Sequence, residues 1–131
     1  MHSFLDQHQR MITQAETILV AARNIRADGG QGLTRARLDL ARSVNEHVQE
    51  EIFYLNQHGG ADRLPREMMR RYHDELLQWR QGLMDCNCAW PPQSIQADPA
   101  GFARAFRPIL HALRERVRWE EEQLYPQLKA A

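Results

Sequence analysis

The stretch LTRARLDLARSVNEHVQEEIFYLNQHGG, residues 33–60, decides the fold. Leu33, Ala36, Leu40, Val44, His47, Glu51 and Leu55 recur at intervals of three and four, the stripe of an amphipathic helix turned toward a core. His58-Gly59-Gly60 closes it, because glycine takes up the left-handed turn at little cost. His47 and Glu51 sit within that stripe. Four residues advance a helix by about 400°, so the two side chains stand one above the other on one face. An imidazole and a carboxylate on a core stripe are what a nitrogen/oxygen metal site between facing helices requires.

The same period continues on either side. Upstream, Leu5, His8, Ile12, Ala15, Leu19 and Ala22 trace a first helix, with Ser3 as its N-cap and Asp28-Gly29-Gly30 as its end. Downstream, Pro65 suits the first turn of a third helix. That helix runs through Met69, Tyr72/His73, Leu76, Trp79/Arg80 and Leu83 and gives out before Trp90-Pro91-Pro92. From about Asp85 to Pro99 the longest connection is expected, with three prolines and both cysteines. Asp98 caps a fourth helix and Pro99 opens it. Its stripe is Phe102, Phe106, Ile109, Leu113, Arg116/Val117, Glu120 and Leu124, with a kink or a late start expected at Pro108. No strand alternation competes. The expectation is an all-α, up-down-up-down antiparallel four-helix bundle, one domain over residues 1–131.

Composition excludes several functions. Seventeen basic and seventeen acidic residues cancel, so the lopsided basic face that neutralises phosphates is missing and nucleic acid is not an expected partner. No apolar run approaches the ~20 residues that cross a bilayer, and no membrane partner is expected. Asp6, Arg10 and Glu16 interrupt the first twenty residues, which do not read as a signal peptide, so a cytoplasmic location is expected. Cys86 and Cys88 are separated by Asn87 alone, and a bridge between them would close a strained ring. Reduced thiols in a loop are the plain reading. No Walker loop, dinucleotide turn or nucleophile elbow is present.

In an antiparallel bundle, His8 early in helix one meets His47 and Glu51 in the later part of helix two. It also meets His73 early in helix three and Arg116/Glu120 late in helix four. At about 1.5 Å per residue these levels agree to within a turn or two. Taken singly, each has a plain reading: a core histidine bonded to a neighbour, or a surface i,i+4 pair. Taken together, they bury two carboxylates, which demand a positive partner. That partner is either a metal ion or the Arg116 guanidinium, and the pattern leaves both open. His111-x-x-x-Glu115 offers another His/Glu pair on helix four. His111 and Arg116 lie about 140° apart, however, so one pair faces inward, and the apolar stripe favours Arg116/Glu120.

These residues resemble the hemerythrin-like family of H-H-E cation-binding domains, over nearly the whole chain. Leu5-Asp6-Gln7-His8-Gln9 is similar to the family's opening single-His helix, and His47-Val48-Gln49-Glu50-Glu51 to its H-x-x-x-E helix. Tyr72-His73-Asp74-Glu75-Leu76-Leu77 resembles the third-helix His segment. Glu120-Glu121-Glu122-Gln123-Leu124-Tyr125-Pro126 resembles the E-E-x-x-L-[FY]-P signature near the family's end. The resemblance implies a non-haem di-iron centre held by His8, His47, His73, Glu51 and Glu120. By the same mapping the family's last-helix histidine falls on Arg116. One iron would keep His8, His47 and both carboxylates, the other only His73 and the shared carboxylates.

Three functions follow as expectations. The first is an iron-binding protein that binds or senses a diatomic gas, O2 or NO, or handles iron, with a degenerate site. The second is a metal-free bundle serving as a regulatory or protein-interaction module, motivated by Arg116 and by Trp79, Trp90 and Trp119 as exposed aromatics. The third is catalysis, which no residue supports by indicating a substrate.

Overall fold

The computed structural model describes residues 2–59 and 64–130, and among them there are helices and no strands. Four long helices make the bundle: α1 (His2–Arg23), α3 (Gln31–Tyr54), α4 (Arg66–Ala89) and α6 (Pro99–Trp119). Short helices α2 (Ile25–Asp28) and α5 (Pro92–Ala97) serve as connectors, and α7 (Tyr125–Ala130) closes the chain. α1 packs against α3 and α6, while α4 packs chiefly on α6. No helix among the described residues is long and apolar enough to cross a membrane.

The α3 stripe is buried as its spacing predicts, from Leu33 through Leu55. In α1 the buried set is Phe4, His8, Met11, Ala15, Ile18 and Ala22, whereas Leu5 is exposed and Ile12 and Leu19 are half-buried. The buried set advances about 3.6 residues per step, the helical period, so it stays in line along the face. Leu5, Ile12 and Leu19 each lie one position past that line, whereas His8, Ala15 and Ala22 lie on it. In α4 the inward positions are Tyr72, Leu76, Trp79 and Cys86, with His73 and Arg80 exposed.

Gly29 and Gly30 hold left-handed φ angles of 70° and 94° between α2 and α3, a turn open to glycine. Asp28 accepts from the Gly30 and Gly32 amides at 2.9 and 3.0 Å and so caps α3. The expected stop at Gly60 lies outside the described residues. The expected long loop from Asp85 is replaced by helix. α4 continues to Ala89, so both free cysteines lie on it, Cys86 buried and Cys88 exposed. Asp98 caps α6 by accepting from the Gly101 amide at 3.0 Å, and α6 runs through Pro108 rather than starting late.

Two five-residue π-helical segments interrupt the α pattern, Leu55–Gly59 and Glu120–Leu124. The second begins at a stripe carboxylate. A π turn brings a residue five positions on above the first, and such turns concentrate at functional sites.

Candidate metal centre

His8, His47, Glu51 and Glu120 converge at one depth of the bundle. Each offers one ligand atom, and these atoms lie within 4.8 Å of one another, all four side chains buried. α1 supplies the first, α3 the next two, and Glu120 follows the last residue of α6. Nε2 of His8 lies 3.2 Å from Nε2 of His47 and 2.9 Å from Oε1 of Glu120. Nε2 of His47 is 3.3 Å from Oε2 of Glu51 and 3.5 Å from Oε1 of Glu120.

The outer ring nitrogens determine what the inner ones can do. Nδ1 of His8 pairs with the Glu121 carboxylate at 2.7 Å, and Nδ1 of His47 with Oε1 of Gln7 at 2.6 Å. The Gln7 amide is oriented by its own donation to Glu50 at 3.0 Å, which turns its carbonyl toward His47. Both partners are acceptors, so each Nδ1 donates. In the neutral imidazoles Nε2 is then a lone pair facing the cluster, the tautomer that binds metal. Two lone pairs and two carboxylates facing one point repel, and a cation between them removes the repulsion.

Protons take part of that role in the metal-free site. Burial disfavours charge on His47, but its hydrogen bonds and charge pairing with Glu120 and Glu51 outweigh burial and raise its pKa to about 9. Burial and the neighbouring Glu120 charge push the Glu51 carboxyl up. Glu120 is also buried, yet hydrogen bonds from His47 and His8 and the Arg116 charge hold it well below the usual carboxylate range. Two phenols complete the surround. Tyr72 donates to Oε1 of Glu51 at 2.7 Å, and Tyr125 donates to Oε2 of Glu51 and lies 3.1 Å from Oε1 of Glu120. Burial and the two carboxylates drive both phenols upward, so they stay protonated donors.

Arg116 occupies the remaining side. It is 8% exposed, and its Nε donates to Oε2 of Glu120 at 2.9 Å. Nη2 donates to the Tyr72 carbonyl at 3.1 Å, and the guanidinium lies 4.8 Å from the Tyr72 ring centroid. Arg116 points at the cluster as the i,i+4 reading requires, but it brings protons where a ligand would bring a lone pair.

His73 is not brought into the cluster. It is on the exposed face of α4, and Tyr72 takes the inward position. The α4 stripe explains this: residues 69, 72, 76, 79 and 83 alternate by three and four, and 73 breaks the alternation. His111 is exposed as well, which removes the His111/Glu115 pair. Trp79 and Trp119 are buried and Trp90 half-buried, so the tryptophans do not form an exposed surface. Gln7 and Glu121 as orienting partners had no signal in the spacing.

Against protein-family models, curated proteins and solved structures the chain shows no match. The His/His/Glu/Glu cluster on an all-α bundle is consistent with a hemerythrin-like H-H-E site. The donor set fits one ion. His73, the expected fifth ligand, faces outward, and the Arg116 guanidinium stands beside Glu120.

Proposed function

We propose that this bundle holds a single metal ion, iron in the reading the hemerythrin resemblance implies, through His8, His47, Glu51 and Glu120, and that it binds a diatomic gas or a similarly small ligand there. The observation that carries the proposal is the convergence of two imidazole Nε2 atoms and two buried carboxylates within 4.8 Å, with each Nδ1 held by an acceptor, Glu121 or Gln7. Mixed imidazole and carboxylate donors suit iron, manganese or zinc, and a bound redox metal with an open position would supply affinity for O2 or NO. The protein's own residues orient the imidazoles, keep the phenols protonated and restrict solvent. A binding role is favoured over catalysis on organic substrates, because the cavity beside the cluster, about 20 Å3, admits little more than one water-sized molecule.

A metal-free regulatory bundle is the second reading. Its support is that Arg116, Tyr72 and Tyr125 already give both carboxylates hydrogen-bond donors. Thermal unfolding with and without iron(II) under anaerobic conditions separates the two. An ion at about 100 times its Kd stabilises the fold by about 2.7 kcal/mol, so melting rises by several degrees and a chelator reverses it. Indifference to both iron and chelator would establish the metal-free reading.

A further inference from the structure

The cavity beside the cluster has a feature that metal ligation leaves unused. It is lined by His8, His47, Glu51, Glu120, Trp79 and Arg116, together with aliphatic side chains. Nε and Nη2 of Arg116 are engaged, but Nη1 is buried and has no hydrogen-bond partner among the described residues. A buried guanidinium N–H without an acceptor is costly, so an acceptor at that position is favoured. Arg116 and Trp79 also line a cleft of about 780 Å3 between α4 and α6, so these two side chains stand between the cavity and the outside.

We infer that Arg116 is the ligand-selecting residue of the site: its Nη1 donates to a monatomic or diatomic ligand carrying negative charge, held in the cavity next to the metal. This rests on the one-metal reading above. The size of the cavity sets the ligand's size, and the guanidinium sets its charge. Glu51 and Glu120 line the same space and repel an anion, so binding depends on the metal to offset them.

Fluoride is the probe, titrated into iron(III)-loaded protein and read by electron paramagnetic resonance. Arg116→Lys keeps a cation beside Glu120 but removes the guanidinium fork that carries Nη1, and iron content is measured on every sample. The expected result is retained iron with fluoride affinity reduced about tenfold or more, the loss of one charge-assisted hydrogen bond. Retained iron with unchanged fluoride affinity would overturn the role of Arg116 while leaving the metal site standing. Wild-type protein that takes up no iron overturns the one-metal reading itself, and this inference with it. If the lysine variant loses iron or does not fold, a crystal structure of the iron-loaded wild type with fluoride decides: fluoride within hydrogen-bond distance of Nη1 supports the inference, and fluoride elsewhere overturns it.

Discussion

Two i,i+4 pairs face each other across this bundle, His47/Glu51 on α3 and Arg116/Glu120 at the end of α6, and they behave in opposite ways. In the first, the basic member is an imidazole that can give up its Nε2 proton and then offer a lone pair, and its carboxylate is pushed up by burial and by the neighbouring Glu120 charge. In the second, the basic member offers only protons, and its carboxylate is held low by the surrounding donors and the Arg116 charge. Identical spacing thus places two candidate ligands in one case, and one candidate ligand with a counter-charge beside it in the other. The difference lies in one side chain's chemistry, not in its placement.

The most severe way to break the comparison is Glu120→Ala. It removes a ligand and leaves the Arg116 guanidinium buried without its carboxylate, so urea unfolding should show a loss of about 3–5 kcal/mol. A loss below about 1 kcal/mol would mean that the guanidinium escapes to solvent.

pH sharpens the same contrast. In metal-free protein the His47 pKa is raised from 6.5 to about 9, so the stabilisation from its proton is complete below pH 6.5 and disappears as pH rises through 9. The loss between these limits should be on the order of 3 kcal/mol by chemical denaturation. Metal must displace that proton, so apparent metal affinity should climb over the same range. Flat stability from pH 6.5 to 9 would place no proton on His47.

Gln7→Leu tests the orienting partner of the first pair. Without an acceptor at Nδ1 the His47 tautomer is no longer fixed, and metal affinity should fall by about 10- to 100-fold in competition with a coloured chelator, with little change in fold stability. Arg116→His should have the smallest effect, although it makes the two pairs alike. Metal content should stay at one ion per chain, because His73 lies on the exposed face of α4 and brings no further ligand to the cluster. Two ions in that variant would require α4 to rotate.

Much of this was legible in the sequence. The four long helices, the α3 stripe, the Asp98 cap and four of the five candidate ligands follow from period and spacing. The parts that were not legible have specific causes. In α1, Phe4/Leu5, Met11/Ile12 and Ile18/Leu19 are adjacent apolar pairs, and the first of each pair is the buried one. In α4, Tyr72 and His73 compete for one inward position, and the resemblance favoured the histidine while the alternation of threes and fours favoured the tyrosine. Proline-rich sequence near residue 91 concealed a short helix, because Pro92 sits at a first turn where its missing N–H costs nothing. Gln7 and Glu121 touch the imidazoles from other helices, contacts that pairwise spacing within one helix does not encode.

The central claim is that His8, His47, Glu51 and Glu120 share one ion. Elemental analysis of protein produced in iron-replete medium, set against its molar concentration, tests it most directly. The account predicts one metal ion per chain. Zero ions after anaerobic reconstitution, or two, would contradict it.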